Sequence, residues 1–168
     1  MRIGVVSDTH MPARARELTA RCREVLGACD VIVHAGDHAD AASLAALRAI
    51  GPPVVAVHGN VDGEDLRRAL PGTAELDAGG ARIAVVHDAG PKEGRLRRMR
   101  RRFPDADAVV FGHSHIPLVE RDADGFVIVN PGSPTDKRSQ PDHTMAVLHF
   151  ADGRVRAQIV RLDGDAPA

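Results

Sequence analysis

Seven side chains in this 168-residue sequence offer oxygen or imidazole-nitrogen donors in a repeating position. Asp8 and His10, Asp37, Asn60, His87, and His113 with His115 each follow a short apolar run, at residues 3–6, 31–33, 54–57, 83–86 and 109–111. A lone Asp or His after a strand is usually a turn or capping residue. Seven of them after strand-like runs form a set. In open α/β sheets, ligands bind just beyond the carboxyl ends of the strands. If these strands are neighbours, their end groups meet in one crevice. The donors are oxygen and nitrogen only, which suits Mn, Fe, Co, Ni or Zn rather than a cysteine-type structural zinc site. Seven donors are too many for one tetrahedral ion and suit two ions sharing a carboxylate. Two such ions, about 3.5–4 Å apart, make hydroxide from a bridging water near neutral pH and screen the oxygens of a phosphoryl group under in-line attack.

The local spacing adds to this. Residues i and i+2 of an extended chain point to the same side. The pairs Asp8/His10 and His113/His115 are therefore expected to aim at one site in extended backbone. Gly36, Gly59 and Gly112 stand just before ligand candidates, where they permit sharp turns and close backbone approach.

The elements that must position these groups read as βαβαβ followed by antiparallel strands. Apolar runs mark strands at 3–6, 31–33, 54–57 and 108–111. Helical spacing predicts helices over 14–26, 41–50, 64–70 and 92–103. Three hairpins are expected: 73–76 with 82–86, 118–120 with 126–129, and 144–150 with 155–160 across the turn at 151–153. The pattern predicts an α/β domain with two sheets packed face to face. One domain is expected over 1–168, with the tail after Leu162 loose.

Composition narrows the function classes. The net charge is −1, so no global field draws the chain to nucleic acid or to an anionic membrane. There is no Trp or Tyr and only four Phe, so bases have little to stack on and stable nucleic-acid binding is not expected. Cys22 and Cys29 fit no zinc or redox spacing and read as thiols in a reducing compartment. No apolar run is long enough for a signal-peptide core or a bilayer span, and a cytoplasmic protein is expected. Arg95, Arg97, Arg98, Arg100, Arg101 and Arg102 surround Leu96, Met99 and Phe103 in an amphipathic helix. That helix reads as a solvated or partner-binding face, or as an attractor of polyanionic substrate.

The ordered set Asp8-Thr9-His10, Gly36-Asp37, Gly59-Asn60-x-Asp62, His87 and Gly112-His113-Ser114-His115 resembles the calcineurin-like metallophosphoesterases. The short chain and Asn130-Pro131-Gly132-Ser133 resemble that superfamily's small prokaryotic phosphodiesterase subfamily. The resemblance implies a four-layer αββα sandwich of two mixed β-sheets. It implies one divalent ion on Asp8, His10, Asp37 and His115, and a second on Asp37, Asn60, His87 and His113, with Asp37 bridging and manganese foremost. It also implies phosphodiester hydrolysis by a metal-bridging hydroxide, on a phosphodiester or nucleotide-like small molecule.

The departure is Val61, where many members carry a His that protonates the leaving group. Asp62 remains but lacks that partner. His38 and Asp62 are the candidate catalytic side chains, with His58 a further possible acid; His34, His143 and His149 receive no role. Asp88 reads as a turn residue or a support for His87. Asn130 to Ser133 are expected to close over the site. Two alternatives stand beside the phosphodiesterase. One is a nucleotide phosphatase. The other is an interaction module like the retromer scaffold subunit, which shares the fold and need not keep a full metal shell. The C-terminal strands offer an edge for a homo-oligomer.

Overall fold

The apolar runs are short and almost unbroken because their strands are covered on both faces. In the computed structural model, which describes residues 1–151 and 154–163, neighbouring residues of one strand go to different cores. Val5, Val33, Val85, Val110, Val129 and Leu148 enter a central core between two sheets. Val6, Ile32 and Val147 face outward beneath helices, with Leu18, Cys22, Val25, Leu26 and Leu47. Ala84, Val86, Val109 and Ile128 face outward on the opposite side, with Met99 and Phe103. Period-two alternation thus generates four layers, helix–sheet–sheet–helix, as expected.

The first sheet has the order β10 (Arg154–Arg161), β9 (Thr144–Ala151), β1 (Arg2–Val6), β2 (Val31–His34), β3 (Val54–Ala56). Strands β1, β2 and β3 are parallel, and β9 runs antiparallel to both β1 and β10. The second sheet has the order β4 (Thr73–Asp77), β5 (Arg82–Val86), β6 (Ala108–Val110), β8 (Val127–Asn130), β7 (Leu118–Arg121). Its middle strands β5, β6 and β8 are parallel, and β4 and β7 are antiparallel edges. Both sheets are mixed. All three expected hairpins pair; Asp152 and Gly153 of the last turn, and the tail beyond Asp163, lie outside the described residues.

Helices α1 (Ala20–Gly27) and α2 (Ala41–Arg48) cover the first sheet, and α3 (Glu64–Ala69) packs beside them through Leu66. Helix α4 (Arg95–Arg102) covers the second. The helix expected over 14–26 begins only at Ala20. The Thr19 side chain accepts from the Cys22 amide, a cap that starts a helix at that point. Asp40 caps α2 in the same way through Ser43.

Candidate metal centre

The carboxyl ends of β1, β2 and β3 in one sheet and of β5 and β6 in the other lead into the loops that carry all seven donor candidates. The site therefore spans both sheets. Asp8, His10, Asp37 and Asn60 come from the first; His87, His113 and His115 come from the second.

The structure brings all seven together. Nε2 of His10 and His115 lie 3.2 Å apart. Asp8 Oδ1 is 3.5 Å from His115 Nε2. Asp37 Oδ2 stands 3.8 Å from His10 Nε2 and 3.3 Å from His87 Nε2, between the two halves. Asn60 Oδ1 is 3.0 Å from His87 Nε2 and 2.9 Å from His113 Nδ1. Two carboxylate–imidazole groups converge within 4.8 Å: Asp8, His10 and His115, and Asp8, Asp37 and His87.

Further hydrogen bonds fix the orientation of these side chains. His87 Nδ1 donates to the Ala35 carbonyl at 2.8 Å, and His115 Nδ1 donates to the Asp136 carbonyl at 2.5 Å. Each bond fixes the tautomer and leaves Nε2 with its lone pair aimed into the site. Neither carbonyl was foreseeable, because a backbone oxygen carries no residue identity. Asp8 is fully buried and accepts from the His113 amide at 3.1 and 3.0 Å, and Asp37 accepts from Val61 N–H at 3.0 Å.

Electrostatics fit a cation. Burial pushes Asp8 up from 3.8 to about 7; the neighbouring Asp37 charge adds to this, and Ser7, His87 and the His113 amide oppose it. Burial also acts to raise Asp37, but its hydrogen bond with His87, the Val61 amide and the charges of His87 and His10 hold it below the usual carboxylate range. Burial acts to lower His87, yet its contact with Asp37 and the charges of Asp8 and Asp37 raise it. His10 and His115 are lowered, first by burial. Crowded lone pairs and a disfavoured carboxylate charge are what divalent ions would relieve.

Backbone geometry corrects the extended-chain expectation. Asp8, His10, Asp37, His113 and His115 all have φ between 44° and 67°. This left-handed region is sparsely used by non-glycine residues, and strain there gathers at functional sites. The i, i+2 pairs aim together because each chain coils tightly, not because it is extended. Gly59 and Gly112 act by absence of bulk: a Cβ would stand 2.0 Å from Asp37 Oδ1 and 1.9 Å from Ser7 Oγ, respectively.

Asp62 and His38 are buried as well. Asp62 accepts from the amides of Asp37, Ala39 and Gly59 at 3.1, 2.8 and 2.7 Å, tying two ligand loops together. With Val61 in place of a His partner, Asp62 is held by these backbone amides instead. His38 is 1% exposed, hydrogen-bonded to the Val57 carbonyl and stacked on His34 at 3.6 Å between ring centroids. His34 bonds in turn to Thr9 Oγ1 and the Gly36 amide. Asn130 and Ser133 are also buried and do not close over the site. Ser133 Oγ donates to the Asp8 carbonyl at 2.8 Å, and Asn130 Nδ2 donates to the Gly112 carbonyl at 2.8 Å. They support the ligand loops from below. Asp88 bonds to the Gly90 amide in a turn.

The comparisons agree with this architecture. Residues 1–153 match the model of the calcineurin-like phosphoesterase superfamily domain. A probable metallophosphoesterase of Methanothermobacter thermautotrophicus is 31% identical over 163 residues, covering 96% of this chain and 92% of that protein. Among solved structures, Vps29 of Chaetomium thermophilum superposes with a TM-score of 0.77 at 20% identity, covering 96% of this chain and 97% of its own. A protein described as a novel archaeal phosphodiesterase superposes with a TM-score of 0.71 at 20% identity, covering 95% of this chain and all of its own. The chain belongs to the calcineurin-like phosphoesterase superfamily, a family of metal-dependent hydrolases.

Proposed function

We propose that the protein is a dinuclear metal-dependent phosphodiesterase acting on a phosphodiester or nucleotide-like small molecule. The observation that carries the reading is the position of Asp37, whose Oδ2 faces His10 from one half of the site and His87 from the other. One ion would be held by Asp8, His10, Asp37 and His115, and the other by Asp37, Asn60, His87 and His113. Oxygen and imidazole donors without thiolate suit Mn, Fe, Co, Ni or Zn, and the family resemblance puts manganese foremost among them. When bound, such a pair activates water and offsets phosphoryl charge. The archaeal phosphodiesterase among the structural neighbours supports the choice of diester. The free, buried thiols of Cys22 and Cys29 fit a reducing, cytoplasmic setting.

The side chains define what the site does to the leaving group. Val61, next to Asn60, is 47% exposed and has no proton to give. His38 is buried against backbone, and Asp62 is occupied by three amides. We therefore assign both to the framework. The leaving group departs without a donor from these residues, so turnover follows its acidity. Protein stripped with chelator and reloaded with Mn is expected to cleave bis(p-nitrophenyl) phosphate far faster than phosphoserine. Equal rates on the two would sink the reading of the leaving-group side.

A second reading, an interaction module on this fold, draws on the exposed Val61 and Ile116, which directly follow the donors Asn60 and His115. Stoichiometric metal with no turnover of any phosphate ester, monoesters included, would favour it.

A further inference from the structure

We propose that Arg138 recognises a second anionic group on the substrate, beyond the scissile phosphodiester, at the His10–His115 side of the cleft. The inference rests on the phosphodiesterase reading and adds to it a substrate class: diesters that carry an additional phosphate.

The segment leading to Arg138 is laced onto the donor loops. Ser133 Oγ donates to the Asp8 carbonyl at 2.8 Å, and Thr135 Oγ1 donates to the Thr9 carbonyl at 2.6 Å. The Asp136 carbonyl takes the His115 Nδ1 proton at 2.5 Å, and the Asp136 amide donates back to Ser133 Oγ at 2.8 Å. Arg138 follows two residues later in left-handed backbone, with φ 49°. That conformation is costly for a side chain of this size. It stands at the end of a segment in which Ser133, Thr135 and Asp136 bond to the donor loops.

The basic residues on this side differ in one respect. Arg14 is paired with the Asp136 carboxylate at 3.4 Å. Lys137 donates to the Pro141 carbonyl and pairs with Asp163 at 3.6 Å. Arg138 is exposed and, among the described residues, forms no hydrogen bond or ion pair. A guanidinium two residues beyond the carbonyl that holds His115, without a carboxylate of its own, suits bidentate recognition of a phosphate. A simple diester carries one negative charge, which the metal centre addresses. Among the described basic residues compared on this side, Arg138 is the one whose charge has no counterpart.

The test compares two chromogenic diesters, thymidine 5′-(p-nitrophenyl phosphate) with and without a 3′-phosphate, on Mn-loaded protein. The native protein is expected to prefer the 3′-phosphorylated ester in kcat/KM by roughly tenfold, the scale of one charge-assisted contact. R138A loses the preference and R138K keeps part of it. R97A, altered on the outer face of α4, keeps it all. Equal loss on both esters, or an unchanged preference in R138A, overturns the proposal. Calorimetric titration with thymidine 3′,5′-bisphosphate gives a reading independent of turnover, with Kd rising about tenfold in R138A. If the native protein cleaves neither ester, the phosphodiesterase reading fails on that result. The titration still decides Arg138, because an unchanged Kd overturns its role.

Discussion

On the proposed dinuclear reading, Asp8 and His87 are the residues whose protons a bound metal would displace. Asp8 is raised to about 7, chiefly by burial, and His87 is raised by its carboxylate neighbours against its burial. Below about pH 7 Asp8 holds a proton that a bound cation would have to displace, and His87 keeps its proton to higher pH than an ordinary imidazole. His10 and His115 are lowered, chiefly by burial, and lose their protons earlier than an ordinary imidazole. The sign follows: metal binding releases more protons at pH 6 than at pH 8, and affinity weakens as pH falls between them. Calorimetric Mn titrations in two buffers of different ionisation enthalpy count those protons. Equal release at both values would contradict the environment described for Asp8. The donor residues themselves were legible in the sequence, since each is a metal-binding type placed after an apolar run. Their backbone was not. Five of the seven lie in the left-handed region, and nothing in Asp8 or His113 as residues announces this before the loops are packed.

Among the elements, α4 shows how an amphipathic pattern can be read correctly and interpreted too simply. Its apolar residues Met99 and Phe103 pack on the second sheet as the spacing predicts. Its arginines are not one solvated row. Arg98 donates to the Ala89 carbonyl at 3.0 and 2.7 Å and to the Pro91 carbonyl at 2.5 Å. Arg95 donates twice to the Gly90 carbonyl and lies 5.0 Å over the Phe111 ring. These bonds fasten α4 to the loop after His87 and to the end of the strand before His113. Arg100 is similarly occupied by the Ala106 carbonyl and Phe126. Sequence periodicity cannot see such bonds, because their acceptors are main-chain carbonyls in a separate loop. R98A is expected to lower unfolding stability by roughly 1–3 kcal/mol, the scale of lost charge-assisted hydrogen bonds. It also weakens Mn binding through the loosened His87 loop. Urea unfolding and Mn titration of R98A beside R97A check both effects. Indistinguishable variants would return α4 to a plain surface helix. The late start of α1 has a related cause: apolar spacing marks a helical face, while the bond from Thr19 to the Cys22 amide marks where the helix begins.

For the whole molecule, two sheets packed face to face were readable because the inner strands are buried on both faces and are nearly continuous apolar runs, while the four-layer order came from the family resemblance. The order of strands within each sheet was not readable, because pairing depends on which runs become neighbours. That order is what makes the site. It sets the carboxyl ends of β1, β2 and β3 opposite those of β5 and β6 across a shared core, so each sheet supplies an incomplete donor set and the fold completes it. Asp37 is where the two sets join, 3.8 Å from His10 and 3.3 Å from His87. Equilibrium dialysis of the chelator-stripped protein against Mn, read by elemental analysis, tests this directly. The account predicts about two ions per native chain and no more than one in D37A, from the sharing of one carboxylate between two ions. A native chain that takes up no Mn, or a D37A variant that still binds two, would contradict it.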